Sequence, residues 1–139
     1  MTRHILFVTG TRADFGKLEP LALAAREAGF AVTFFVTGMH MLDRYGLTKM
    51  EVHRTPGCGV HEFLNQRPGD PQDMVLAKTV IGFSDYITEH RPDLVVVHRQ
   101  APLPGRHAPP ITFAAPISRA ARCPAPLTRF SAIAIPSWP

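Results

Sequence analysis

The chain has 139 residues, 45% of them hydrophobic and 19% charged, which suits one modest domain with its own core. Two cysteines make no disulfide framework, so a reduced compartment is expected, and no apolar run approaches the length of a membrane span. Ile5 to Val8 is too short for the apolar core of a secretory signal and runs into Gly10-Thr11-Arg12 rather than a cleavage site. The expected location is the cytoplasm.

In chain order, His4 to Thr9 is a short continuous apolar run, as expected of a buried parallel strand. A helix to Ala28 follows, with Leu18, Leu21 and Ala25 on one face and Gly29 as its stop. Pro20 either opens that helix or kinks it. Ala31 to Thr37 reads as the second strand, Met39 to Tyr45 as a short helix and Glu51 to Thr55 as a short strand. Residues 54–73 carry glycine and proline and read as a mobile loop. Pro71 suits the first turn of a long helix ending near Glu89, whose Leu76, Val80, Phe83 and Ile87 form an apolar stripe. Leu94 to Val97 is a fourth, fully apolar strand. There are no internal repeats, and the alternation of strand and helix predicts an α/β fold with a doubly wound parallel, Rossmann-like sheet.

In such a sheet the ligand lies beyond the carboxyl ends of the strands. The first of these ends carries Val8-Thr9-Gly10-Thr11-Arg12-Ala13-Asp14-Phe15-Gly16-Lys17-Leu18. Gly10 permits a sharp turn without a Cβ clash, Thr11 offers a hydroxyl, and Arg12 offers a planar fork of donors suited to phosphate oxygens. An exposed surface arginine is the plain alternative for Arg12. Asp14 serves equally as a helix cap or as a ligand contact. His40, beyond the second strand, faces the same crevice either as a site residue or as a structural hydrogen-bonder. His98 ends the fourth strand on the ligand side. Lys17, Lys78 and the acidic face of the long helix read as solvated surface. Cys58 has only His61 near it, so no metal site is expected.

Three blocks together resemble a known family. They are Thr9 to Leu18, then Val36-Thr37-Gly38-Met39-His40-Met41-Leu42 with Tyr45-Gly46, then Asp93-Leu94-Val95-Val96-Val97-His98. The resemblance is to the UDP-N-acetylglucosamine 2-epimerases, in their hydrolysing, UDP-releasing branch; the non-hydrolysing branch typically has Pro-Glu after the arginine. It runs from Arg3 to His98 and implies the first lobe of a two-lobed, glycosyltransferase-B-like fold that holds a nucleotide between its lobes. It further implies elimination of UDP from UDP-N-acetylglucosamine and hydration of the resulting glycal to N-acetylmannosamine, a step toward sialic acid. Homo-oligomers are possible for a full-length form, and no cofactor is implied. Gly10, Thr11, Arg12, Asp14 and His40 are the substrate-binding candidates. The family's histidine at position 98 leads into Gly-Asp, and that aspartate belongs to the acid–base apparatus. Here Arg99 and Gln100 follow, so no catalytic carboxylate is expected in frame.

Beyond His98 the chain changes character. All 11 acidic residues precede it, whereas residues 99–139 hold five arginines, no lysine and nine of the 14 prolines. Residues 1–98 balance ten basic against eleven acidic side chains, so the overall charge of +4 belongs to the tail. A basic arm for nucleic acid is one reading. The missing lysines and the lack of interleaved aromatics favour another. With the codons shifted by one base and the free base chosen, Ala115 to Pro124 reads Arg-Ala-His-Ile-Glu-Gly-Gly-Glu-Val-Ser, which resembles the family's next block. Pro102 to Arg106, Ala132-Ile133 and Ser137-Trp138 give further family-like runs in the same frame. The expectation is a half-domain over 1–98, followed over 99–139 by a disordered, non-native tail read in the wrong frame. On that reading the partner is a nucleotide sugar, with no nucleic acid or membrane involved, and the chain is inactive.

Overall fold

A computed structural model describes residues 2–99, 111–116 and 133–134. Strand β1 (His4–Thr9) leads into helix α1 (Arg12–Glu27) and strand β2 (Ala31–Val36). Two single 3₁₀ turns, Gly38–Met41 and Asp43–Tyr45, precede helix α2 (Lys49–His53), strand β3 (Gly59–Glu62), helix α3 (Gln72–His90) and strand β4 (Leu94–Arg99). The described residues of the tail add strands β5 (Ile111–Pro116) and β6 (Ile133–Ala134). The sheet order is β3-β2-β1-β4-β5-β6, with β1 to β4 mutually parallel and β5 and β6 antiparallel. The four parallel strands and their flanking helices form the expected α/β, Rossmann-like sheet.

Alternation along the strands divides the core in two. Ile5, Phe7, Val32, Phe34, Val36 and Val96 face α1 and pack with Phe15, Leu18, Ala22 and Val52. Leu6, Phe35 and Val95 face the other way and pack with Tyr86 of α3. The apolar face of α1 is thus Phe15-Leu18-Ala22, with Ala25 partly covered, whereas Leu21 lies at the edge of the stripe and is 40% exposed. Pro20 sits inside the helix, and Gly16, whose carbonyl it leaves without the usual helical donor, is exposed to water. Gly29, at φ +89°, follows the helix end, and its N–H donates to the Arg26 carbonyl at 2.9 Å.

The third strand is not where the sequence placed it. Residues 51–53 belong to α2, which buries Val52 completely, and β3 lies in the stretch expected to be a loop. One apolar residue amid polar neighbours cannot distinguish strand from helix, and Gly59-Val60-His61-Glu62 carries no alternation to announce itself. The stretch expected to be one helix over 39–45 is instead two 3₁₀ turns. On α3, Phe83 and Ile87 pack on the sheet, but Leu76 is 65% and Val80 59% exposed. Burial on this helix begins at Gly82, where an added Cβ would sit inside the Phe63 ring. Pro71 is the residue just before the first helical turn, not part of it.

Disorder was the expectation for the tail, yet residues 111–116 pair along the whole of β4 and 133–134 pair with β5. The remainder of residues 99–139 falls outside the described residues, apart from the backbone of Arg99 at the end of β4. No helix among the described residues is long and apolar enough to cross a membrane.

Candidate functional site

The strand order reverses direction from β1, with β2 and β3 to one side and β4 to the other, so the carboxyl ends of β1 and β4 flank a topological switch point. Helix α1 starts there. Thr11 is its N-cap, accepting the Asp14 N–H at 3.2 Å, while its own hydroxyl donates to Asp14 Oδ2 at 2.8 Å. Thr11 is therefore the cap, and Asp14, three residues on, closes a reciprocal capping arrangement. The Thr11 hydroxyl has only one proton, and Asp14 holds it, so donation to a ligand phosphate requires the Asp14 contact to break.

Gly10 is not the glycine that the backbone demands. Its φ lies outside the positive range, and an added Cβ would meet nothing within 4 Å. The constrained residue is Gly38, at φ +65°, where an added Cβ would lie 2.9 Å from the Gly10 carbonyl oxygen. That approach locks the ends of β1 and β2 together: Thr37 N–H donates to the Thr9 carbonyl at 3.0 Å and Met39 N–H to the Gly10 carbonyl at 2.8 Å. Asn65 fixes the same turn from the β3–α3 connection, accepting the Gly38 N–H at 3.0 Å and donating to Thr79 at 2.7 Å. What Gly10 contributes is open space at the mouth of the helix.

Arg12 opens α1 with its side chain 74% exposed, and its Nε lies 3.2 Å from Glu51 Oε2 of α2. An exposed pair of this kind contributes little to stability, and it leaves the guanidinium's terminal nitrogens for other acceptors. Glu51 went unnoticed in the sequence because α2 was read as a strand.

His40 does not face the crevice. It is 0% exposed, edge-on to Phe15 at 6.3 Å between ring centres, and both of its ring nitrogens are engaged. The Thr9 hydroxyl donates to the Thr11 carbonyl at 3.3 Å, which leaves it to accept from His40 Nε2–H at 2.9 Å. Nδ1 then accepts the Thr48 hydroxyl at 2.7 Å. Burial lowers the His40 pKa from its ordinary value, so the ring works as a neutral brace beneath the β1 turn.

His98 comes to the site from β4. Its side chain is 2% exposed, and its Nδ1 lies 3.9 Å from Asp14 Oδ1. Among the described residues, Nδ1 and the Thr37 hydroxyl are the buried side-chain polar atoms without a hydrogen-bond partner. The structure thus brings Gly10, Thr11, Arg12, Asp14 and His98 to one end of the sheet and seats His40 below them. Gln100, at the position where the resemblance implies an aspartate, lies outside the described residues.

The other residues singled out from sequence stand apart. Lys17 is exposed, and Lys78 pairs with Asp70 at 2.7 Å. Cys58 is half-buried with its thiol pKa raised by burial, and no metal-holding cluster of three His, Cys, Asp or Glu occurs among the described residues. A cavity of about 370 Å³ is lined by Met41, Leu42, Arg44, Leu64 and Arg67 among others, and none of Gly10, Thr11, Arg12, Asp14, His40 or His98 lines it. A trio missed in the sequence ties β3 to α2: Glu62 binds Lys49 at 2.7 Å and His53 at 2.6 Å. The Lys49 and His53 hydrogen bonds hold the Glu62 carboxyl below its ordinary range.

No family model matches the chain. Over 97 residues it is 42% identical to the UDP-N-acetylglucosamine 2-epimerase of Neisseria meningitidis serogroup B, a match covering 69% of this chain and 26% of the relative. Over 104 residues it is 31% identical to the UDP-N,N'-diacetylbacillosamine 2-epimerase (hydrolyzing) of Legionella pneumophila, covering 70% of this chain and 27% of that protein. The chain spans about a quarter of the length of these curated relatives. Over the matched stretch it is a partial member of the UDP-N-acetylglucosamine 2-epimerase family.

Proposed function

We propose that this chain is the first, nucleotide-holding half-lobe of a hydrolysing UDP-N-acetylglucosamine 2-epimerase, and that as it stands it does not turn over substrate. The observation that carries the reading is the convergence at one sheet end of an open helix N-terminus, the exposed Arg12 fork and the carboxyl ends of β1 and β4. Helix dipole, backbone N–H groups and guanidinium together suit a diphosphate. Both relatives are named as 2-epimerases of UDP-linked acetamido sugars, and one of them as hydrolysing, which supports this substrate class.

Epimerisation at C2 with loss of UDP requires a group to remove the C2 proton and another to deliver one, usually carboxylates. Asp14 brings a carboxylate to the crevice, with Oδ2 accepting the Thr11 hydroxyl and Oδ1 3.9 Å from His98 Nδ1. The position two residues after His98 holds Gln100, which exchanges no proton. The tail then reads as family sequence in a shifted frame. A non-enzymatic fragment with weak affinity for UDP is the alternative, favoured by the same loss of carboxylates. In a family-like setting the protein would work in the cytoplasm in acetamido-sugar or sialic acid synthesis. The test is direct titration with UDP. Binding that shifts the backbone signals of residues 10–12 supports the reading, and a chain indifferent to UDP at millimolar concentration contradicts it.

A further inference from the structure

The Asp14–His98 approach carries a role that neither helix capping nor phosphate binding supplies. His98 Nδ1 is shut off from water and has no hydrogen-bond partner among the described residues. A buried polar nitrogen left unpaired is unfavourable, so a partner within reach is expected to be taken. The facing group is Asp14 Oδ1 at 3.9 Å, which is too long for a hydrogen bond and too short for a water between them except in a sharply bent arrangement. A shift of about 1 Å closes the gap to ordinary hydrogen-bond length. Asp14 is the member already held: its Oδ2 receives the Thr11 hydroxyl and its main-chain N–H donates to Thr11, so the carboxylate is fixed in orientation while Oδ1 points at the ring.

We propose that Asp14 is the positioning residue for His98, accepting a hydrogen bond from Nδ1–H and thereby leaving Nε2 as a bare acceptor turned away from helix α1. A carboxylate on one imidazole nitrogen fixes both the tautomer and the ring's direction, and the opposite nitrogen then accepts from a hydroxyl or N–H group. Resting on the nucleotide-sugar reading for its ligand, the inference assigns that partner to the acetamido sugar rather than to the diphosphate, which Arg12 and the helix N-terminus serve. The tautomer is also the reverse of that of His40, whose proton is on Nε2.

The 139-residue chain labelled with ¹⁵N-histidine tests this by two-bond ¹H–¹⁵N correlation at about pH 8.5, well above the ordinary imidazole range. His98→Gln assigns the ring by its missing signals. The wild-type ring is expected as the Nδ1–H tautomer. Asp14→Ala should move it to Nε2–H, and Asp14→Asn, which keeps an acceptor oxygen, should retain Nδ1–H in part. The Thr11 cap survives these changes, because its donor is the main-chain N–H of residue 14. An Nε2–H ring in the wild-type chain overturns the proposal without reference to any variant, and so does a tautomer unmoved by Asp14→Ala. Adding UDP-N-acetylglucosamine, but not UDP alone, should shift the Nε2 signal. A response at residues 10–12 without one at Nε2 refutes the assignment to the sugar. No response anywhere refutes the functional reading, while the tautomer still decides the role of Asp14.

Discussion

Arg12 and Thr11 stand side by side at the helix mouth yet offer a ligand different things. The Arg12 guanidinium is exposed and tied through one nitrogen to Glu51, whereas the Thr11 proton is spent on Asp14. Arg12→Ala should therefore weaken UDP binding by about 1.5–3 kcal/mol, the usual worth of a hydrogen bond to a charged group. Thr11→Ala should act mainly through the lost cap, lowering stability by about 1 kcal/mol. Calorimetric titration with UDP and thermal melting separate the two effects, and equal losses of affinity in both variants would contradict the division. The sequence made this mouth visible because its residues are contiguous and their chemistry is local. It could not show that His40 turns inward, since that depends on Thr9 and Thr48 meeting the ring from separate segments. Nor could it show His98 approaching Asp14, which joins β4 to α1 across 84 positions.

Among the elements, the turn after β2 is the most constrained. Gly38 combines a positive φ with the close approach of Gly10, and Asn65 clamps its N–H from the β3–α3 connection. Gly38→Ala should cost at least about 1–2 kcal/mol from the left-handed backbone alone, with the contact to Gly10 adding to it. Gly10→Ala should leave stability nearly unchanged, because its Cβ meets only space. Denaturant midpoints of the two variants check this, and the reverse order would contradict it. Long apolar runs such as β1, β2 and β4 were legible because burial on both faces leaves continuous hydrophobicity. The strand β3 was not, since it is a short edge element whose place is set by pairing with β2 rather than by its own pattern. The stripe of α3 misled for a related reason: periodicity shows that a face is apolar but not how far the sheet beneath it extends.

At the scale of the whole molecule, neutral histidines couple the fold to pH. Burial lowers the pKa values of His4, His40 and His61 from 6.5, with His90 adding to the effect at His61 and Asp93 opposing it at His4. In the unfolded chain these rings bind protons more readily, so their contribution is complete above about 6.5 and is lost as the pH falls through the lower folded values. Glu62 and Asp70 have depressed values that act in a separate and more acidic window, below the ordinary carboxylate range. Melting temperature should be level between pH 7 and 8 and fall between pH 6.5 and 5, before the carboxylates titrate. A melting temperature that rises over that interval would contradict the lowered pKa values of these rings.

These residues are proposed to form part of an epimerase whose sequence continues in a shifted reading frame. Loss of one positioned acid–base group commonly lowers a rate ~10²–10⁴-fold. The gene corrected by one base near codons 98–101 and extended into its downstream DNA should encode His-Gly-Asp, then Ala-His-Ile-Glu-Gly-Gly-Glu, then a second Rossmann-like lobe. Release of UDP from UDP-N-acetylglucosamine, measured on the 139-residue protein and on the corrected product side by side, tests this most directly. No turnover is expected of the first and clear turnover of the second. Turnover by the 139-residue chain, or a shifted frame that meets stop codons at once, would contradict it.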